Sequence, residues 1–179
     1  MGRLMRLLLA LTMAAIAQGE TISYWIASGP DQQLAEWAFA AWQKASSGRL
    51  EFKAASKDEA GIRVVWAGAE EGMYGEARSI FVNGHRAVNF YVRPAPLSTA
   101  DPLLREAITY LTCVHETGHA LGLVHTSDFA DIMYSFQYGG DIREYFGRYR
   151  RLIHSRDEIR DHSGMSDADR AQLERVLTK

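Results

Sequence analysis

The sequence predicts an α+β domain built on a twisted, mixed five-stranded sheet with an antiparallel edge strand, a backing helix, a long central helix and a C-terminal helix. Three observations carry this. Five short runs rich in Ile, Val, Tyr, Phe and Trp are bounded by turn residues, the pattern of strands. Asn83-Gly84 separates the last two runs and is a hairpin turn signal, so one strand is antiparallel to its neighbour. The earlier runs are joined through a helix or long connections, which suits parallel pairing.

Taken in order, residues 21–27 alternate and form the first strand. Gly29-Pro30-Asp31 opens a helix, with proline tolerated in its first turn. Leu34, Trp37, Ala38, Ala41, Trp42 and Ala45 recur at helical spacing, so both tryptophans belong to a core face rather than to an aromatic ligand platform. Gly48 ends that helix, and residues 50–54 and 62–67 are the next two strands. Residues 68–75 read as an exposed loop. Glu70 and Glu71 there leave calcium possible, but no ligand pattern supports it. The hairpin pairs residues 77–82 with residues 86–92.

Asp101-Pro102 caps the long helix, which runs to about Leu121. Leu104, Ile108 and Leu111 lead to His115 and His119 in steps of three or four, so burying that face sets where the histidines point. In residues 136–163, Arg143, Arg148, Arg150 and Arg151 lie beside Tyr145, Phe146 and Tyr149. They either favour acidic substrates or form the solvated side of an amphipathic helix. Asp141, Glu144, Asp157 and Glu158 favour the helix. His154 and His162 read as surface residues. Ser166-Asp167-Ala168-Asp169 starts the last helix with a cap and an acidic first turn.

Residues 1–17 have the pattern of a secretory signal. Arg3 and Arg6 precede a short apolar core, and Ala15-Ile16-Ala17 supplies a small-x-small cleavage site. The apolar stretch is too short to span a bilayer. The chain is thus expected to be exported, secreted or periplasmic, without stable membrane association after cleavage. Losing two arginines and no acid takes the formal charge from −2 to −4, which offers no broad basic surface for nucleic acid. Cys113 is the single cysteine, so no intrachain disulfide forms, and it reads as a small buried hydrophobe. The remainder, 18–179, is expected to be one monomeric domain.

The run His115-Glu116-Thr117-Gly118-His119-Ala120-Leu121-Gly122-Leu123-Val124-His125 carries the chemistry. Two histidines four apart on a helix place their Cβ atoms about 5–6 Å apart. Both imidazoles can then reach one zinc at about 2.0–2.1 Å. Gly122 can adopt the positive φ that reverses the chain and returns His125 as a third ligand. Three neutral ligands leave a fourth position open, which is the catalytic arrangement. Glu116 is placed to act on a water rather than to bind the metal. A lone His-Glu-x-x-His occurs on ordinary amphipathic helices, but the added Gly and His at fixed offsets make the pattern specific.

This run resembles the motif of the metzincin clan of zinc metallopeptidases, His-Glu-x-x-His-x-x-Gly-x-x-His, and matches every fixed position. Asp131-Ile132-Met133-Tyr134 resembles the clan's methionine turn. Thr126 after the third histidine, with Ile132-Met133-Tyr134, is most similar to the matrixins, although Ser135 stands where those have proline. The close similarity covers residues 111–134. The resemblance implies a metzincin-type zincin with an upper part, 18–121, and a lower part, 122–179. It implies one catalytic zinc held by His115, His119 and His125, with Met133 as a structural floor. It further implies a substrate edge strand of Ala77, Arg78, Ser79, Ile80, Phe81 and Val82, and a specificity-pocket wall after Met133. The second, structural zinc of vertebrate matrixins is not expected, because only His85 precedes the long helix. Cys113, two residues before His115, does not match the inhibitory cysteine of matrixin pro-segments, and such a segment is not expected here.

The expected function is that of a secreted zinc endopeptidase. Zinc would polarise the scissile carbonyl and acidify the attacking water. Glu116 would take the proton and pass it to the leaving amine. The partner is a peptide or protein substrate. One alternative is a secreted zinc-binding or adhesion module on the same fold without turnover, against which the intact Glu116 argues. The other is a zinc hydrolase of non-peptide amides, against which the edge strand argues.

Overall fold

The computed structural model describes residues 19–68, 74–94 and 100–178. The signal segment and the Glu70-Glu71 loop lie outside the described residues. Five strands, β1 (Glu20–Ile26), β2 (Leu50–Ala54), β3 (Ile62–Trp66), β4 (Gly75–Val82) and β5 (His85–Val92), form one sheet in the order β2-β1-β3-β5-β4. Only β4, at an edge, is antiparallel to its neighbour. Four α-helices accompany them: α1 (Gln32–Ala45), α2 (Pro102–Ala120), α3 (Ile142–Arg150) and α4 (Asp167–Leu177).

Local chemistry explains most boundaries. Asn83 and Gly84 have φ of 50° and 81°, the two positive values that a tight primed hairpin turn requires. Asp101 Oδ1 accepts from the amides of Leu103 and Leu104 at 3.1 Å each, satisfying two orphan donors at the start of α2. Asp31 precedes α1 without capping it, because its carboxylate is committed to a two-bond ion pair with Arg105 of α2, at 2.9 and 2.6 Å. The hairpin strand β4 starts at Gly75, two residues before the expected start at Ala77, and β5 starts at His85 rather than Arg86.

The core lies between one face of the sheet and helices α1 and α2. Ile62, Val64, Phe90 and Val92 meet Leu34, Ala38, Phe39 and Trp42 there. Trp42 is fully buried, and its indole N–H donates to the Val114 carbonyl at 2.9 Å, which joins the two helices. Trp37, Ala41 and Ala45 are half-buried at the margin of this core. Leu104 is half-buried too, whereas Ile108 and Leu111 on the same helix are buried.

Helix α3 resolves the arginine-rich segment. Its buried face is Tyr145, Phe146 and Tyr149. Arg150 pairs with Asp101 at 2.8 Å, Arg151 with Glu144 at 2.6 Å, and Arg148 lies over the rings of Tyr145 and Phe129. These three arginines are therefore engaged on the outer side of an amphipathic helix, the alternative that the neighbouring acids favour. Cys113 is buried, and burial pushes its thiol well above the ordinary range.

Gly118 lies within α2, where a Cβ would collide with Met133 Sδ and come 3.2 Å from Trp42. A helix interior favours Ala over Gly by about 1 kcal/mol. Overpacking a tight core costs about 1–3 kcal/mol. Met133 is fully buried and has nowhere to retreat. Gly118→Ala is expected to lower Tm in a thermal melt, although the same change on an exposed helix face would raise it.

Candidate active site

Helix α2 delivers His115 and His119 on one face, and a chain reversal returns the third histidine. The Leu123 amide donates to the Gly118 carbonyl at 2.9 Å, and the Gly122 amide to the His119 carbonyl at 3.0 Å. Gly122 has a φ of 93°. This is a Schellman end, which a Cβ-bearing residue adopts only with strain. The next residues turn back along the helix and bring His125 Nε2 to 3.3 Å from His115 Nε2 and 3.0 Å from His119 Nε2.

The tautomers follow from the carbonyls. His115 Nδ1 lies 2.7 Å from the Ile132 carbonyl, and His119 Nδ1 lies 3.1 Å from that of Leu123. A carbonyl can only accept, so both Nδ1 atoms carry the proton and both Nε2 atoms present lone pairs. Three nitrogens with tetrahedral bonds of about 2.0–2.1 Å to one zinc would be about 3.3–3.4 Å apart. The observed spacing fits that group. Lone pairs crowded this closely repel one another unless a cation lies between them. Burial also lowers the pKa of all three imidazoles, His115 to about 4, which keeps them neutral and free to donate to a metal. Among the described residues this triad is the one group of such side chains close enough to hold an ion.

Glu116 sits beside His115 on α2 and is 4% exposed, with Oε2 unpartnered. Burial raises its carboxyl to about 8, helped by the Glu76 carboxylate and opposed by Arg93. A base with a pKa in this range suits proton transfer near neutral pH. The start of β4 lies directly over it. A Cβ placed on Gly75 would fall 2.5 Å from Glu116 Oε1 and 2.6 Å from Thr112 Cγ2, so only glycine allows this approach.

A cleft of about 550 Å³ opens along the histidines. Gly75, Glu76 and Ala77 line its upper edge, and Tyr134 to Gln137, Ile142, Tyr145 and Phe146 line the opposite wall. Of the expected edge-strand residues, Ala77 alone reaches this cleft. Arg78, Ser79, Ile80, Phe81 and Val82 continue along β4 beyond it. Glycine reads as loop in a sequence, yet here Gly75 is the strand residue that passes closest to the site. Of the segment after Met133, the aromatic face lines the wall, and no arginine does.

Met133 is fully buried, with its Sδ against Gly118 of α2. Asp169 of α4 accepts from the amides of Ile132 at 2.8 Å and Met133 at 3.2 Å. Gln172, one turn further along α4, bonds both backbone groups of Val124. The sequence marks Asp169 as a helix-start acid but does not disclose its partners, and Gln172 carries no signal at all. Gly75, Asp169 and Gln172 are the site-supporting residues that sequence reasoning missed.

Residues 98–144 match the family model described as Matrixin, a span that takes in α2, all three histidines and the methionine turn. No protein with a curated description matches the chain in sequence. Among solved structures, the chain is similar to archaemetzincin from Methanopyrus kandleri. The two share 16% identity over 93% of this chain and 100% of that one, with a TM-score of 0.50, a likeness of fold. The chain thus combines a segment similar to the matrixin family with a fold similar to that of archaemetzincin.

Proposed function

We propose that this chain is an exported zinc endopeptidase in which His115, His119 and His125 hold a single catalytic ion and Glu116 is the general base. The convergence of three Nε2 atoms within 4.8 Å, beside a buried carboxylate that faces a cleft, carries this reading. A zinc ion held by His115, His119 and His125 would supply Lewis acidity to a scissile carbonyl and to the attacking water. Glu116 takes the proton from that water. The protonated Glu116 is then the donor to the departing amine. The carbonyls of Ile132 and Leu123 keep His115 and His119 in the required tautomer throughout.

The substrate lies extended along the start of β4, and its backbone pairs with the strand edge at Gly75 to Ala77. Side-chain selection falls to the aromatic wall opposite, where Phe136, Tyr145 and Phe146 pack edge-on at 5.1 Å between Phe136 and Tyr145 and between Tyr145 and Phe146. Export rests on the pattern of residues 1–17. Among the described residues, no helix is long and apolar enough to cross a membrane.

Three experiments test this reading. His119→Ala or His125→Ala is expected to leave well under one equivalent of zinc after dialysis, because two imidazoles and water make a poor zinc site. Full retention of zinc in either variant contradicts the ligand set. Glu116→Gln is expected to keep its zinc and to lose turnover of a casein substrate by at least about 10²–10⁴-fold. Loss of the metal instead would make Glu116 a ligand. Gly75→Ala is expected to keep both zinc and fold while kcat falls, since a displacement of about 1 Å in a catalytic group can cost about 10²-fold. An unchanged kcat would mean that the carboxylate has room to move.

A further inference from the structure

The three imidazoles are not held alike. His115 and His119 are each fixed at Nδ1 by a carbonyl, whereas His125 is exposed and, among the described residues, has no hydrogen bond at Nδ1. Its position must come from the backbone on either side. On the C-terminal side, the Thr126 amide donates to the Met133 carbonyl at 2.9 Å, and the Ser135 amide donates to the Thr126 carbonyl at 3.2 Å. On the N-terminal side stands Val124. Its side chain is 67% exposed, so packing does not hold it.

We propose that Gln172 is a positioning residue for His125, clamping the peptide that precedes it. The proposal rests on His115, His119 and His125 being the metal ligands. The Val124 amide donates to Gln172 Oε1, and Gln172 Nε2 donates to the Val124 carbonyl at 3.2 Å. One carboxamide thus meets both polar groups of a single residue, as a neighbouring strand would. Gln172 is itself buried, at 8% exposure, and lies one turn after Asp169 on α4. A glutamate retains the acceptor and loses the donor; an apolar side chain loses both. Because Val124 is exposed, its freed backbone groups turn to water, and the loss falls on the placement of His125 rather than on the fold.

The test compares the full-length wild type with Gln172→Met, Gln172→Glu, Leu173→Ala and His125→Ala. Zinc affinity is read by chelator competition, the ligand geometry by the visible spectrum of the cobalt-substituted protein, and stability by the Tm of the metal-free protein. Partners that orient metal ligands are worth about 10–100-fold in affinity. Gln172→Met is expected to weaken zinc by that factor and to shift the cobalt bands, with Gln172→Glu in between. Leu173 is fully buried on the same helix, so Leu173→Ala is expected to lower Tm while affinity stays at the wild-type value. Wild-type affinity and cobalt spectrum in Gln172→Met overturn the clamp, and so does an equal loss of affinity in Leu173→Ala. If Gln172→Met does not fold, wild-type affinity in Gln172→Glu overturns it. A wild type without zinc, or His125→Ala with undiminished affinity, sinks the ligand assignment and the clamp with it.

Discussion

One buried carboxylate ties the methionine turn, the first histidine and the start of α4 together. Asp169 is fully buried and accepts hydrogen bonds from the amides of Ile132, Met133 and Ser166. Such charge-assisted bonds are among the stronger ones in proteins, and each amide would cost about 1–3 kcal/mol if buried without a partner. The bonds to Ile132 and Met133 fix the peptide whose carbonyl, that of Ile132, orients His115. The Asp169 amide donates in turn to the Ser166 hydroxyl oxygen at 3.1 Å, which closes the capping box of α4. The proton of that hydroxyl is donated to Asp131 at 2.6 Å. Helix start, methionine turn and first histidine thus share one anchor.

The surroundings of α2 depend on two close approaches. Gly118 lets Met133 and Trp42 reach the backbone of α2, and Gly75 lets β4 pass over Glu116. Neither glycine has a positive φ; both are needed for space alone. The methionine turn can therefore press against the underside of the helix while the strand edge closes over its active side. The Glu116 carboxylate is desolvated between them.

Much of this architecture is legible in the sequence because it is local. Asn83-Gly84 specifies a hairpin through its own backbone preferences, and Asp101-Pro102 starts α2 through its own side chain and ring. The histidine triad is readable because helical periodicity brings two members together and a single Gly122 reversal brings the third. What the sequence hides is whatever depends on a distant partner. Asp31 has the form of an N-cap, but Arg105 takes its carboxylate. Tyr145, Phe146 and Tyr149 have helical spacing, yet the arginines beside them invite a functional reading that their ion pairs and ring contacts remove. Gly75 looks like loop because the reason for glycine there is a side chain on another element.

The order of these parts along the chain has a consequence for its biosynthesis. The triad is complete at His125, but the carboxylate that steadies the methionine turn comes 37 residues after Ile132 and 36 after Met133, and the Gln172 carboxamide comes 48 residues after its partner Val124. A nascent chain therefore displays the three imidazoles of the triad long before it owns their scaffold. Asp169 and Gln172 make these contacts only once α4 has been synthesised, so Ile132, Met133 and Val124 lack those partners until then.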